Sequence, residues 1–137
     1  MQRRILVVDD NESIRALLKY LLQAMGFGVI TASDGLKALE VVRSSWIDGI
    51  LLDCEMPVMD GLSMLQELRD CHARIPVLMM SGDHNPEKVD RAVALGAIGF
   101  VPKPFDSAFL SQQCRRLFEQ AWSANAGRSQ NALELPL

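Results

Sequence analysis

Five short runs of apolar residues recur along the chain, at residues 5–8, 27–31, 49–52, 76–80 and 99–101. The runs are continuous, with little alternation between apolar and polar positions. Continuous runs of this length are typical of strands buried on both faces, as in a parallel sheet covered by helices. The pattern therefore predicts five buried β-strands.

Helical periodicity fills the segments between these runs. The clearest stretch extends from Glu12 to Met25, where apolar residues recur at helical spacing and form one stripe. The members of this stripe are Ile14, Leu17, Leu18, Leu21, Leu22 and Met25. Asn11 is predicted to cap the start of this helix, and Gly26 is predicted to end it.

Four more helices are predicted from capping residues and apolar spacing. The second follows Ser33 or Asp34, the third follows the Asp60-Gly61 turn, the fourth runs from Asn85-Pro86 to Gly96, and the fifth spans about residues 107–123. The predicted inward residues are Leu36, Leu39 and Val42 in the second helix and Leu62, Leu65 and Leu68 in the third. In the fifth helix they are Leu110, Cys114, Leu117 and Ala121, with Phe118 and Trp122 beside them. Five alternating strands and helices predict an α/β fold, a (βα)5 doubly wound parallel sheet with right-handed crossovers.

The composition is that of one globular domain, since the chain has 137 residues of which 49% are hydrophobic. We expect this domain to occupy residues 1–123, and residues 124–137 to form a flexible tail or the start of a linker. A net charge of −3 offers no attraction to nucleic acid or anionic lipid. The apolar run at residues 5–8 is too short for a signal peptide or a membrane span. A cytoplasmic protein that binds neither nucleic acid directly nor membranes is therefore predicted.

The cysteines and histidines are predicted to have no chemical role. Cys54, Cys71 and Cys114 have the spacing of neither a disulfide framework nor a CxxC metal motif, so we expect them to stay reduced. His72 and His84 are isolated residues near loops, and we expect them to be structural or surface residues.

Chemically active side chains follow the predicted strands at their carboxyl ends. Asp9 and Asp10 follow the first strand, Asp53 the third, Ser81 the fourth and Lys103 the fifth. Ligands of open parallel sheets bind beyond these ends. Taken singly, each residue has an ordinary interpretation as a helix cap, a turn residue or a solvated lysine. Five such residues at one edge of one sheet favour a functional site.

Three carboxylates that lie close together repel one another unless a cation binds among them. All available donors are oxygen atoms, which favours Mg²⁺, with Mn²⁺ as an alternative. We expect Asp10 and Asp53 to bind the metal directly, Asp9 to bind it through water, and a backbone carbonyl after Asp53 to complete the shell. A free oxygen of Asp53 could then accept a phosphoryl group, because this transfer needs mainly alignment and charge neutralisation. Lys103 would supply charge, and Ser81 a hydrogen bond.

Four segments match the signatures of a known family. They read ILVVDDNES at residues 5–13, LLDCEMPVMDG at 51–61, MMSG at 79–82 and GAIGFVPKPF at 96–105. Over about residues 3–122 the chain resembles the receiver domain of the response regulators of two-component signalling. The resemblance implies a flavodoxin-like, CheY-like sheet with strand order 2-1-3-4-5.

The resemblance also implies a role for each residue at this edge. The roles are phosphoacceptor for Asp53, metal ligands for Asp9, Asp10, Asp53 and the main-chain carbonyl of Glu55, and phosphoryl-binding residues for Ser81 and Lys103. A cis peptide bond between Lys103 and Pro104 is implied as well. The phosphoryl donor would be a histidine kinase or a histidine phosphotransfer protein. Such a domain is not an enzyme beyond its own self-phosphorylation and self-dephosphorylation.

A conformational switch is a further implication of the resemblance. When Ser81 moves toward the phosphoryl, Phe100 can rotate inward, and the face made by helix 4, strand 5 and helix 5 changes shape. A static core aromatic is the alternative interpretation of Phe100. A downstream output protein or domain would read this face, and a homodimer through it is also considered. Glu55 and Asp83 place negative charge beside the phosphoryl and are expected to tune its lifetime, in a direction left open.

Two alternative functions remain at this point. The first is a haloacid-dehalogenase-like phosphatase with Asp53 as nucleophile. Asp53 ends the third predicted strand, whereas the nucleophile of that family ends the first, and no substrate cap is evident. The second is a degenerate receiver that binds partners without phosphate, which is disfavoured because every position of the site is filled.

Overall fold

Five strands alternate with five helices in a computed structural model of the protein, which describes residues 2–71 and 73–125. The strands are β1 (Arg4–Val8), β2 (Gly28–Ala32), β3 (Gly49–Asp53), β4 (Val77–Ser81) and β5 (Gly99–Pro102). The helices are α1 (Glu12–Ala24), α2 (Gly35–Ser44), α3 (Gly61–Asp70), α4 (Pro86–Ala94) and α5 (Ser107–Ala124). All strand pairs are parallel, and the sheet order is β2-β1-β3-β4-β5. The predicted doubly wound α/β fold is confirmed.

The sheet separates two apolar clusters because successive side chains of a strand point to opposite faces. Leu6 and Val8 of β1 belong to the cluster that includes buried residues of α2, α3 and α4. Ile5 and Val7 belong to the cluster that includes buried residues of α1 and α5. Helices therefore cover both faces, which explains why the strands read as continuous apolar runs. In the described part of the chain, no helix is long and apolar enough to cross a membrane.

The predicted helix caps are present. The side chains of Asn11, Asp34 and Asp60 accept hydrogen bonds from backbone N–H groups at the starts of α1, α2 and α3. Asn85 caps α4 in the same way, with Pro86 at the first helical position. Gly26 has a positive φ of 93° just after α1, the conformation that glycine adopts most readily.

The second strand begins one residue later than predicted, at Gly28. The N–H of Phe27 still donates to the carbonyl of Leu22 in α1, at 3.1 Å, so this residue is part of the turn that follows α1. The Phe27 ring lies edge-on to Trp122, with 5.9 Å between ring centroids. Packing against α5 therefore accounts for its apolar character.

Two residues that were predicted to point inward are exposed. Leu17 is 41% exposed because it lies at the margin of the α1 stripe, whose centre is Leu18 and Leu22. Leu36 is 49% exposed. The buried face of α2 includes Gly35 instead, where an added Cβ would lie 2.9 Å from the backbone oxygen of Met59. This close approach rotates Leu36 toward solvent.

The inward face of α5 also differs from the prediction. Phe118 and Trp122 are buried and stack with 5.6 Å between ring centroids, whereas Leu117 and Ala121 are only half-buried. Large aromatic side chains bury more apolar surface than Leu or Ala, so the helix turns them toward the sheet. α5 extends to Ala124, one residue beyond the expected boundary.

Two predictions fall outside the described residues. The expected tail from residue 126 onward and the interpretation of His72 both remain predictions. Cys54, Cys71 and Cys114 are free, as expected. Burial raises the pKa of the Cys54 thiol and of the Cys114 thiol to about 12, so neither is a reactive thiolate at neutral pH.

Candidate functional site

The carboxyl ends of four neighbouring strands place the predicted site residues at one edge of the sheet. Asp9 follows β1, Asp53 ends β3, Ser81 ends β4 and Lys103 follows β5. Asp9, Asp53 and Ser81 are the buried polar residues of the described part of the chain, whereas Asp10 is exposed. The structure thus brings these five residues to one edge.

Lys103 joins the two buried carboxylates. Its Nζ lies 2.7 Å from Asp9 Oδ2 and 3.2 Å from Asp53 Oδ1. Asp9 Oδ1 accepts a hydrogen bond from the Asn11 N–H at 2.9 Å, and Asp53 Oδ1 accepts one from the Glu55 N–H at 3.2 Å. The Asp9 carboxylate is therefore held on both oxygens by the protein.

Three carboxylates at this edge could hold a metal ion. One oxygen from each of Asp9, Asp10 and Asp53 lies within 4.8 Å of the others. The group contains only oxygen donors, which suits a hard divalent cation rather than zinc or copper. Asp10, the exposed member, gives this group access to solvent.

The environment of Asp53 sets its ionisation. Burial and the neighbouring charge of Asp9 raise the pKa of Asp53 from 3.8 to about 6, while Lys103 and the Glu55 N–H act in the opposite direction. A pKa of about 6 leaves the carboxylate mostly ionised at neutral pH. An ionised Asp53 can act as a nucleophile without a general base.

The loop between β3 and α3 holds Asp53 in place through a close backbone contact. The Gly61 N–H donates to the Cys54 carbonyl at 2.9 Å. A Cβ on Gly61 would collide with the Asp53 carbonyl oxygen and lie 2.8 Å from the Cys54 Cα. Only glycine fits this position without moving the loop.

The same loop contains a strained residue. Val58 has a φ of 71°, the left-handed region that β-branched residues disfavour, and its side chain is 76% exposed. We expect Val58→Asn to raise the free energy of unfolding by about 1 kcal/mol, because Asn tolerates this conformation and little packing is lost. Urea denaturation would measure the change. Val93→Asn, at an exposed valine in α4, should give no such gain; equal effects at both positions would refute strain as the cause.

Sequence reasoning missed one residue of the site and the side-chain role of another. Glu55 Oε2 accepts a hydrogen bond from the Ser81 hydroxyl, and Lys88 Nζ lies 3.3 Å from the same oxygen. Lys88 also lies 3.1 Å from Asp83 Oδ2. The available signal was the place of Lys88 in the first turn of α4, which starts just after β4 at this same edge.

Two structural implications of the resemblance can be located. The peptide bond between Lys103 and Pro104 is cis. Phe100 in β5 is half-buried and packs against the cluster on the side of α2, α3 and α4. Asp83 is exposed, and its pKa is lowered chiefly by its hydrogen bond with Lys88.

Comparison with known proteins identifies the family. The family described as the response regulator receiver domain matches residues 5–115, which is most of the chain. The chain belongs to the response regulator receiver family. It is a receiver domain of two-component signalling, a class of signalling switches, and the phosphatase alternative is not favoured.

Two similar proteins are transcriptional regulators. The receiver domain is 36% identical over 123 residues to the alkaline phosphatase synthesis transcriptional regulatory protein PhoP of Bacillus subtilis, covering 88% of this chain and 50% of PhoP. It is 37% identical over 131 residues to the transcriptional regulatory protein CpxR of Escherichia coli, covering 93% of this chain and 55% of CpxR. The chain thus spans about half the length of these relatives.

Solved structures support the same fold. The chemotaxis response regulator CheY4 of Vibrio cholerae matches with a TM-score of 0.78 at 34% identity, covering 85% of this chain and 99% of that one. The receiver domain of the Francisella response regulator 1452 matches with a TM-score of 0.81 at 28% identity, covering 87% of this chain and 98% of that one.

Proposed function

We propose that this receiver domain accepts a phosphoryl group on Asp53 and is switched by it. The observation that carries the proposal is the environment of this carboxylate. Asp53 is buried at the end of β3, ionised at neutral pH, and flanked by Asp9, Asp10 and Lys103. That arrangement supports nucleophilic attack on phosphorus, with positive charge available for the phosphoryl oxygens.

The donor set fits Mg²⁺, with Mn²⁺ as an alternative. Asp10, Asp53 and the main-chain carbonyl of Glu55 would hold the ion directly. Asp9 would act through water, which agrees with the engagement of both its oxygens by Asn11 and Lys103. When bound, the ion would neutralise charge on the transferred phosphoryl group.

The transfer needs a donor whose phosphoryl sits on a histidine, supplied by a histidine kinase or a histidine phosphotransfer protein. An Asp53 oxygen forms the new bond to phosphorus, the phosphorus–nitrogen bond breaks, and the electron pair stays on the donor imidazole. Lys103, 18% exposed, supplies a fixed positive charge beside the acceptor. Ser81 would donate a hydrogen bond from its hydroxyl to a phosphoryl oxygen.

The output of the switch is proposed to run through α4, β5 and α5. Ser81 ends β4, which pairs with β5 so that Met79 lies opposite Phe100. A shift of Ser81 toward the phosphoryl would therefore occur beside the strand that holds Phe100, whose ring is half-buried against the cluster on the side of α2, α3 and α4. A downstream protein or domain would recognise the changed face, and a homodimer through this face is one form of that output. The cytoplasmic location remains a prediction.

The test is phosphorylation by a small acyl phosphate in Mg²⁺, followed by intact-protein mass measurement. Wild type should gain one phosphoryl group, and Asp53→Asn should gain none, because a neutral amide is a poor nucleophile. Asp90→Asn, at an exposed position on α4, should be labelled like wild type. Equal labelling of wild type and Asp53→Asn would refute the proposal.

The same protein preparation tests the two alternatives. Rapid multiple turnover of a phosphomonoester would favour a phosphatase, and the absence of any stabilisation by Mg²⁺ would favour a phosphate-independent receiver. Thermal unfolding is the suitable readout for Mg²⁺. The indole N–H groups of Trp46 and Trp122 donate to Asp48, which lies at the opposite end of β3 from Asp53. Tryptophan fluorescence would therefore report on the edge of the sheet that lies away from the proposed metal site.

A further inference from the structure

The side chain of Glu55 reaches from the β3–α3 loop to the end of β4. Its Oε2 accepts a hydrogen bond from the Ser81 hydroxyl at 2.5 Å, and its Oε1 accepts one from the Gly82 N–H at 3.1 Å. Ser81 Oγ in turn accepts the Asp83 N–H at 2.9 Å. The Asp83 carbonyl oxygen also lies 2.9 Å from the Ser81 hydroxyl. Because a hydroxyl has one proton, the shorter contact to a charged acceptor favours donation to Glu55.

Lys88 holds this carboxylate from the α4 side. Its Nζ lies 3.3 Å from Glu55 Oε2 and 3.1 Å from Asp83 Oδ2, so one ammonium bridges two carboxylates. Ser81 is fully buried, whereas the side chains of Glu55 and Lys88 are 41% and 32% exposed. The anchor is therefore a partly solvated ion pair, which can open at small cost.

The proposed function requires the same hydroxyl for a different anion. A phosphoryl on Asp53 would accept a hydrogen bond from the Ser81 hydroxyl, and the Gly82 N–H follows Ser81 directly at the end of β4. A carboxylate and a phosphoryl are both anionic acceptors, so they compete for these donors and repel each other.

We propose that the Glu55 carboxylate is an internal substitute for the phosphoryl group. It is bound to Ser81 and Gly82 and is anchored by Lys88. This carboxylate must leave before the Ser81 hydroxyl can turn toward Asp53. This inference rests on the proposed function of Asp53. It also predicts the direction in which Glu55 acts: the side chain lowers the affinity of the site for a phosphoryl group. Glu55 acts here as a positioning residue, through Ser81.

The structure provides space for the displaced side chain. A groove of about 420 Å³ opens beside Glu55, lined by Met56, Pro57, Asp60 and Lys88 among others. This groove would receive the Glu55 side chain once its contacts to Ser81, Gly82 and Lys88 have opened.

Beryllium fluoride, a phosphoryl analogue, measures the competition in saturating Mg²⁺. We expect Glu55→Ala to lower the half-saturating concentration about tenfold, a change equivalent to about 1.4 kcal/mol. Glu55→Gln should give an intermediate value, because an NH2 group, which cannot accept a hydrogen bond, replaces one of the two carboxylate oxygens that accept from Ser81 and Gly82. Glu87→Gln removes a negative charge from the exposed first turn of α4 but leaves Ser81 and Gly82 bound to Glu55, so it should change the value less than twofold. Glu40→Ala, on the exposed face of α2, is the remote charge control.

Two spectroscopic and structural readouts separate this device from a general loss of structure. The Gly82 amide proton should move upfield in Glu55→Ala before any analogue is added, because it loses a charged acceptor. A crystal structure of the wild-type adduct should place Glu55 beyond hydrogen-bond distance of Ser81. If wild type binds the analogue and Glu55→Ala binds it equally well, the inference is overturned and the function of Asp53 stands. If wild type fails to bind the analogue, or if Asp53→Asn binds it as well as wild type does, the proposed function of Asp53 is refuted.

Discussion

Replacing Gly61 with alanine is expected to destabilise the protein by about 3 kcal/mol and to impair phosphorylation of Asp53. The new Cβ would meet the Asp53 carbonyl oxygen and the Cys54 Cα, which are backbone atoms. Backbone atoms cannot move aside like the end of a flexible side chain, so the β3–α3 loop must shift. This loop also supplies the Glu55 carbonyl that is proposed to bind the metal.

Alanine substitutions at two other glycines serve as controls for the loss of stability expected in Gly61→Ala. A Cβ on Gly82 meets no atom within 4 Å, so Gly82→Ala should change stability by less than about 0.5 kcal/mol. A Cβ on Gly99 would lie 2.6 Å from Leu117 Cδ1, the end of a flexible side chain, and should cost an intermediate amount. Urea denaturation gives all three values. A Gly61→Ala protein as stable as Gly82→Ala would show that the loop can yield.

Replacing Lys103 with methionine should have an effect of similar size for an electrostatic reason. The variant leaves Asp9 and Asp53 buried side by side without their shared ammonium. Leaving a buried charge unpaired costs about 3 kcal/mol, and added Mg²⁺ should restore part of the loss. Lys19→Met, at an exposed position in α1, should change stability by less than about 0.5 kcal/mol.

The pH dependence of this loss follows from the pKa of Asp53, which lies at about 6 in the folded protein against 3.8 for the free side chain. Without Lys103 the folded value rises further, because a factor that lowers it is removed. An acid with a raised folded pKa destabilises the protein above that pKa, and this cost disappears as pH falls through the unfolded value. The deficit of Lys103→Met should therefore be small below about pH 6, where the folded carboxyl is protonated with or without Lys103, and it should grow as the pH rises above this value.

A double variant tests the assignment of charge. In Lys103→Met/Asp53→Asn one of the two buried carboxylates is gone, so much of the lost stability should return at neutral pH. If the double variant is less stable than Lys103→Met alone, the loss comes from packing of the lysine stem rather than from carboxylate repulsion. The two unfolding midpoints at neutral and acid pH decide between these causes.

Glu55 and Lys103 are expected to have opposite effects on phosphorylation of Asp53. Lys103 contacts the acceptor Asp53 directly, whereas Glu55 occupies donors that a phosphoryl would use. Removal of Lys103 should reduce phosphorylation, and removal of the Glu55 side chain should favour it. The stability of the phosphorylated state would then depend on how readily the contact between Glu55 and Ser81 opens.

Much of the architecture could be predicted from the sequence because it depends on local patterns. Apolar runs marked the strands, and caps such as Asn11, Asp60 and Asn85 marked helix starts within a residue. Strand ends in a parallel sheet share one edge, so residues that follow different strands could be placed together before any contact was known. Asp53 and Lys103 are 50 positions apart and still lie 3.2 Å from each other.

Only the tertiary structure decided how side chains share their partners. The exposure of Leu36 depends on the approach of Gly35 to Met59 across two elements. The inward turn of Phe118 depends on the space beside Gly49 of β3, where a Cβ would lie 2.7 Å from the Phe118 ring. The bond from Ser81 to Glu55 joins side chains on neighbouring strand ends through long, rotatable groups. Sequence spacing determines which backbone positions meet, but side-chain contacts are set by distances of a few ångströms that spacing does not specify.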